Sequence, residues 1–303
     1  MRAIQGEGWM EVHPLPDEEV DFSEWDLPIP DPPAVPRKAA TVMLLRDAQP
    51  NTRCRITDGD MPVDFPTDQN IEVFMLRRAK SMDFVPDAVV FPGGRVDERD
   101  ANPGLPWAGP TPGEWAVALG LDEMDARMLV VAAARELFEE CGVLLAGPDE
   151  NTVSTDLSGP DWQDAREALA KHELSFAEFM IDMDLVLRSD LLGLVSNLCT
   201  PPHLPKRFDT YFFAALLPEG QTPDDKTSEA QVADWVTPAY AIREGDAKRW
   251  RVMGPQVYNL TQLAEANSAK EFVESHQTVA DKMMFHLVRP ESPDEKPYLR
   301  WER

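Results

Sequence analysis

Between Ala134 and Val143 the chain reads ARELFEECGV, which gathers Glu136, Glu139 and Glu140 within five positions and then a glycine. On a helix, separations of three and four share a face, so the three carboxylates fan over about 100° of one surface. Like charges at that spacing repel by a few tenths of a kcal/mol per pair, a gratuitous cost unless something positive sits between them. A divalent cation bound to phosphate oxygens fits. Magnesium is hard, demands oxygen ligands, keeps waters and shares substrate phosphates. Glu139 and Glu140 can ligate ions from the helix surface, and Glu136, one turn earlier, reaches the same ions or a bound water. Arg135 lies four residues before Glu139 and can orient it through a charge-assisted hydrogen bond. Upstream, in FPGG, Gly93 and Gly94 allow a sharp turn and a close approach to the metal, with a backbone carbonyl on offer. An exposed acidic helix face is the bland alternative for any glutamate cluster, and the paired glycines speak against it.

The elements that must position these groups are legible as patterns. Strands are expected at AATVMLLRDA (39–48), IEVFMLRRA (71–79) and DAVVFPGG (87–94), and later at LLGLVSNLCT (191–200), DTYFFAALLP (209–218) and VADWVT (232–237). Each is short, rich in branched apolar residues and bounded by turn formers. DARMLVVAAARELFEECG reads as a helix with acids near its start and Gly142 placed for a left-handed C-terminal cap. Residues 161–188 read as one or two amphipathic helices. The 49–70 stretch reads as a polar loop, and 101–124 as a Pro-, Gly- and Trp-rich insert without strong periodicity. From 238 the chain turns helical and ends in a charged tail. Strands, helix, strands, then helices suggest an α/β or α+β layer fold. The expected organisation is an acidic Pro-rich arm over 1–36, a domain over 37–245 with a helical insertion at about 150–190, and an extension over 246–303.

Composition narrows the function. A net charge of -25 over 303 residues argues against nucleic-acid or anionic-membrane binding, both of which want a basic surface. An anionic substrate must then be received by a local patch of metal ions and arginines, which is feasible because distant charge is screened over roughly 8 Å. Arg77, Arg78, Arg95, Lys206 and Arg207 are the candidates. Arg95 follows the glycines directly, whereas Arg207 lies two residues from Asp209 and has an ion pair as its equal alternative. Trp107 and Trp115 can stack on an adenine or, more ordinarily, anchor the insert. Cys54, Cys141 and Cys199 show no C-x-x-C pairing, which favours buried apolar roles in a reducing compartment. No apolar run of membrane-spanning length occurs, and the N-terminus has no secretory pattern. The five histidines show no metal-ligand spacing.

VFPGGRVDERD and ARELFEECGV resemble the two halves of the Nudix box, G-x5-E-x7-R-E-U-x-E-E-x-G-U. Gly94 takes the opening position and Asp100 replaces the first glutamate. Arg135, Glu136, Leu137, Glu139, Glu140, Gly142 and Val143 match the second half at every fixed position. The spacer holds 34 residues, 101–134, where seven are expected. This split box is similar to that of the coenzyme A diphosphatase branch of Nudix hydrolases, particularly its long-insert subgroup. The resemblance implies an α/β/α sandwich with a mixed sheet, a helical insertion and a helical C-terminal extension. It implies hydrolysis of a diphosphate with one to three Mg²⁺ or Mn²⁺ ions at Glu136, Glu139, Glu140 and the Gly93 backbone. Glu229, six residues before Trp235, matches a glutamate that contributes a metal contact or serves as base in many such enzymes, with Asp224, Asp225 and Asp234 as neighbours. Either Glu136 or Glu229 takes the proton, and Arg135 supports them. Arg78, Arg95 and Arg207 are expected on the substrate. Coenzyme A or an acyl derivative leads as substrate, with NADH, ADP-ribose and sugar nucleotides as alternatives. A non-catalytic nucleotide-binding regulator and a prenyl-diphosphate isomerase are the rival classes. The cytosol is the expected location, small nucleotides the expected partners, and a homodimer is left open.

Overall fold

The computed structural model describes residues 2–6, 9–13, 28–49, 53–56, 63–64, 69–82, 85–276, 282–292 and 295–302. Much of the N-terminal arm and of the 49–70 loop lies outside the described residues. In chain order the first elements are β1 (Arg2–Gly6), β2 (Trp9–His13), β3 (Arg37–Asp47), β4 (Arg53–Cys54), β5 (Val63–Asp64), β6 (Ile71–Arg78), β7 (Val89–Val90), β8 (Gly93–Arg95) and β9 (Trp107–Ala108). Next come α1 (Pro112–Leu119), α2 (Glu123–Cys141), β10 (Ala146–Gly147), α3 (Pro160–Ala170), α4 (Phe176–Asp182), β11 (Val186–Arg188), β12 (Leu192–Cys199), β13 (Phe208–Leu216) and β14 (Ala230–Val236). The chain closes with α5 (Pro238–Asp246), α6 (Gly254–Ala264), α7 (Ala269–Ser275), β15 (Lys282–Met283), β16 (His286–Val288) and β17 (Tyr298–Glu302).

The central sheet runs β14-β6-β3-β13-β12-β15, with β7 added to β6 and β8 to β3. β3 pairs in parallel with β13 and antiparallel with β6 and β8, so the sheet is mixed. Its side chains are buried on both faces, as a central strand between helical layers requires. One face packs against α1 to α4 through Leu44, Phe74, Trp115, Leu137, Phe138 and Phe179. The other packs against α5 to α7 through Leu45, Met75, Tyr240, Leu260 and Phe272. The expected α/β/α layering holds.

Local chemistry explains the helix that matters most. Asp122 caps α2 by accepting from the Asp125 amide at 2.9 Å, and Gly142 closes it at φ +69° with its N–H on the Phe138 carbonyl. Ala132, Ala133 and Ala134 are fully buried, and their small side chains let the helix lie close on the sheet.

Several elements differ from expectation. DAVVFPGG forms two short strands, β7 and β8, because Pro92 has no N–H to continue a ladder; its carbonyl accepts from Val42 instead. The 101–124 insert contains α1, started by a Thr111–Glu114 capping box with Pro112 in the first turn. Within α1 the large apolar residues in the core are Trp115 and Leu119, too few for a visible period. The 161–188 segment resolves into α3, α4 and β11, and β11 pairs in parallel with β9, stitching insertion to insert. The tail ends in β17, which pairs with β2 of the arm, so both termini share one sheet. The 246–303 segment also lends β15 to the central sheet and Trp301 to its core. All three cysteines are free and buried.

Candidate functional site

The two halves of the split motif meet. β8 pairs Gly94 with Ala40 and Gly93 with Thr41, which sets the glycine bend beside α2. A Cβ on Gly94 would collide with the Glu136 carboxylate, and one on Gly93, at φ +158°, with the Ala40 carbonyl and Thr41. Bare backbone is required at both positions. The Gly93 N–H donates to Glu140 Oε2 at 2.8 Å, locking bend to helix.

Arg135 is the hub of the cluster. Its Nε and Nη2 donate to Asp100 at 3.0 and 3.1 Å, a two-point grip, and Nη2 also donates to the Arg95 carbonyl at 3.0 Å. Nη1 donates to Glu136 Oε1 at 2.8 Å and to Glu139 Oε1 at 3.1 Å. Asp100 is held in turn on a short helical turn, Glu98–Ala101, where it accepts from the Asp97 amide in a reciprocal cap. The aspartate that stands where the box has glutamate therefore fastens the turn after the glycines to the helix, 35 residues away in sequence.

One buried guanidinium thus faces three carboxylates, with Glu140 beside them. Burial pushes the Glu136 carboxyl up to about 7, with Arg135 pulling down and Glu139 and Glu229 pushing further up. Burial raises Glu140 well above the carboxylate range, and Glu136 and Glu229 add to the rise. Asp100 and Glu139 are also raised, again chiefly by burial. The site holds more negative charge than its own cations offset.

A divalent ion is the natural remedy, and the donors fit one in part. All are oxygens, as Mg²⁺ or Mn²⁺ prefers. Glu136, Glu139 and Glu140 each have one oxygen tied to Arg135 or Gly93 and a second outside those bonds. Among the described residues no three acidic, thiol or imidazole groups are arranged to hold a metal ion by themselves. That suits an ion whose remaining ligands are water and substrate phosphate.

The other expected residues lie at varied places. Glu229 is exposed on the loop entering β14; its carbonyl accepts from the Ala79 amide at 2.8 Å, and Ala230 pairs with Arg78. Arg78 is half-buried, acts electrostatically on Glu140, and carries a buried Nε with no hydrogen-bond partner among the described residues. Arg95 is exposed, and only its carbonyl reaches Arg135. Arg207 is buried away from the acids, donating to the carbonyls of Ala34 and Thr200 at 2.7 and 2.9 Å and to Cys199 Sγ. Arg77 grips Asp87 at 2.9 and 3.1 Å. Asp225 and Asp234 are bound by Arg55. Trp115 is core, in edge contact with Phe213, and Trp107 lies under Arg127.

Two groups escaped the sequence reading. Arg166 on α3 donates to the Glu139 carbonyl at 2.8 Å and to Asp224 at 2.6 Å. Its signal was a cation at helical spacing between Trp162 and Leu169 on the inward stripe of α3. Arg99 reaches the His172 carbonyl and ring at 3.1 and 2.9 Å, tying the insertion to the turn that bears Asp100.

Comparison with known proteins finds relatives in both sequence and fold. A family model described as the NUDT19 Nudix domain matches residues 121–263, which takes in α2 but not the glycine bend. A Caenorhabditis elegans protein named "Putative nudix hydrolase 7" is 31% identical over 193 residues, covering 64% of this chain. The chain spans 56% of the length of that relative. The Xenopus laevis acyl-coenzyme A diphosphatase NUDT19 is 26% identical over 274 residues, covering 72% of this chain and 70% of its own. A solved NUDIX hydrolase from Alicyclobacillus acidocaldarius superposes with a TM-score of 0.64 at 25% identity, covering 82% of this chain and 99% of that one. With the motif, the layer order and these relatives in agreement, the chain is similar in both sequence and fold to Nudix hydrolases.

Proposed function

We propose that the chain is a metal-dependent diphosphatase, and that coenzyme A or an acyl-coenzyme A is its substrate. One observation carries the reaction class: a single buried guanidinium, Arg135, serves three carboxylates, of Asp100, Glu136 and Glu139, while Glu140 rests on the Gly93 amide. The relatives named as acyl-coenzyme A diphosphatases favour the substrate over NADH, ADP-ribose and sugar nucleotides.

Glu136, Glu139 and Glu140 would hold Mg²⁺ or Mn²⁺, with the Gly93 backbone close by. When bound, such ions neutralise charge on phosphoryl oxygens and make a water acidic enough to lose its proton near neutral pH. Arg135 holds one oxygen each of Glu136 and Glu139, which leaves the second oxygen of each for an ion. Glu136, beside these ions, is one candidate to take the proton of the attacking water. Glu229 is the other candidate base: its backbone is held by the bond to Ala79, and its charge acts on Glu136 and Glu140. Arg78 is the best placed of the arginines to meet phosphate, since its buried Nε has no protein partner among the described residues. Arg95 is free to reach the same substrate, whereas Arg207 has its donors turned elsewhere. The free thiols fit a reducing compartment, and the cytosol is the proposed location. No helix among the described residues is long and apolar enough to cross a membrane.

The test is a panel of coenzyme A, acyl-coenzyme A, NADH, ADP-ribose and sugar nucleotides with Mg²⁺ or Mn²⁺, products identified by mass. Phosphopantetheine species and adenosine 3′,5′-bisphosphate are expected. A panel that yields no phosphate-ester product from any member contradicts the hydrolase reading, and preferential cleavage of NADH or a sugar nucleotide replaces the substrate.

A further inference from the structure

The inserted helix α3 reaches the acidic cluster from behind. Arg166 is 4% exposed and sends its guanidinium to the C-terminal turn of α2, where backbone carbonyls lack helical partners. Its Nε donates to the Glu139 carbonyl at 2.8 Å, and its Nη1 to Asp224 Oδ1 at 2.6 Å. The Asp224 amide completes the circuit by donating to the Cys141 carbonyl at 3.0 Å. Gly142 leaves room for this: a Cβ there would stand 2.9 Å from Arg166 Nη1.

Asp224 begins the loop that ends at Glu229, and that loop is tied to itself. Asp224 Oδ1 accepts from the Lys226 amide at 3.0 Å, the Asp225 carbonyl from Thr227, and Thr227 Oγ1 from the Glu229 amide at 3.2 Å. Its far end is fixed by the Ala79–Glu229 bond beside Arg78. Arg166 therefore stands, with the Asp224–Cys141 backbone bond, where the helix carrying Glu139 and Glu140 meets the loop carrying Glu229.

Stability alone is a poor account of this arginine. The Gly142 cap already closes α2 on Phe138. Arg166 Nη2 is buried without a hydrogen-bond partner among the described residues, and a buried, unsatisfied donor is costly. We propose that Arg166 is a positioning residue: by bridging the Glu139 carbonyl and the Asp224 carboxylate, it sets where the Glu229 loop stands relative to the acids of α2. This rests on the proposed diphosphatase reaction and gives the inserted helix a part in it.

The test uses the full chain and the variants Arg166→Lys, Asp224→Asn and Glu229→Gln. Arg166→Lys keeps the charge and loses the two-point bridge. Amide hydrogen exchange over 224–229 should quicken while the middle of α2 stays protected. With a cleavable diphosphate substrate, kcat should fall by about tenfold to a hundredfold, the usual penalty for misplacing a group by an ångström. KM and the Mn²⁺ concentration for half-activation should stay within about twofold, which separates lost positioning from lost binding. In the Glu229→Gln background the same substitution should cost little further, because both changes act on one element. Asp224→Asn, altering a carboxylate at the protein edge, repeats the experiment should the lysine variant fold poorly. Unchanged exchange over 224–229, or a kcat loss of equal size with and without Glu229, overturns the proposal. A wild-type chain that cleaves no diphosphate overturns the functional reading instead, and the exchange result still decides whether Arg166 holds the loop.

Discussion

Buried acids occur in two kinds of place in this molecule, and their neutralisation differs. Glu72, 1% exposed on β6, meets Arg46 at 2.7 Å, and Asp209 on β13 meets Lys282 at 2.6 Å and Asn197 at 2.8 Å. Glu244 on α5 is gripped by Arg249 at 2.6 and 2.8 Å, and those hydrogen bonds hold its carboxyl below the usual range. Each of these acids has a cation of its own. On α2, Arg135 is divided among Asp100, Glu136 and Glu139, and every carboxyl in the cluster is raised. Acids with private partners hold the fold together; acids that share one leave charge for something else to balance. On the proposed function, that sharing is what sets the site apart.

Neutralising one member of each kind separates them most sharply. Glu140→Gln should lower kcat by about three orders of magnitude, the several kcal/mol that metal-borne charge stabilisation supplies. The same change should raise the Tm of the metal-free protein, because it removes a buried charge lacking a cation. Glu72→Gln should do the reverse, costing about 1 to 2 kcal/mol in a denaturation curve by weakening the hydrogen bonds that Arg46 makes to a buried partner. Activity per folded molecule should hold. Were both variants to lose stability and keep turnover, the distinction would vanish.

A smaller effect is expected at Arg78. If it receives phosphate, Arg78→Gln should raise KM by about tenfold, or about 1.4 kcal/mol, with Tm unchanged. An unaltered KM would leave its buried Nε without a role.

The pH dependence follows from the sign of the shift. Glu136 is raised from 4.5 to about 7, so the folded state favours the protonated form. That contribution to stability is fully present below 4.5 and lost as pH rises through about 7. The metal-free protein should therefore lose Tm across that interval, and saturating Mn²⁺ should restore it at the upper end. Glu244, with its carboxyl lowered, contributes only above the ordinary carboxylate range, so its share disappears in acid instead.

Much of the site was legible in the sequence because it is local. Arg135 to Gly142 sit on one helix, and helical spacing alone groups their side chains. The glycine bend was legible because bare backbone is a residue-level property. What stayed hidden was contact between distant segments. Nothing in the spacing of Arg166 and Asp224, or of Arg99 and His172, states that they touch; each is set by how α3 and α4 dock on α2. The positions of the main strands along the chain were readable from their apolar runs. The β2–β17 pairing was not, since a charged tail and an acidic arm show no period that declares them partners. Arg207 misled for a related reason: its type suggested phosphate, while the fold turns it towards backbone carbonyls.

The most direct measurement is anomalous diffraction from crystals soaked with Mn²⁺ and a non-cleavable diphosphate analogue. The account predicts a manganese peak between α2 and the Gly93–Gly94 bend, at about 2.1 to 2.2 Å from oxygens of Glu136, Glu139 or Glu140. A manganese that settles elsewhere, with those carboxylates bound only to Arg135 and Gly93 in the presence of the analogue, would contradict it.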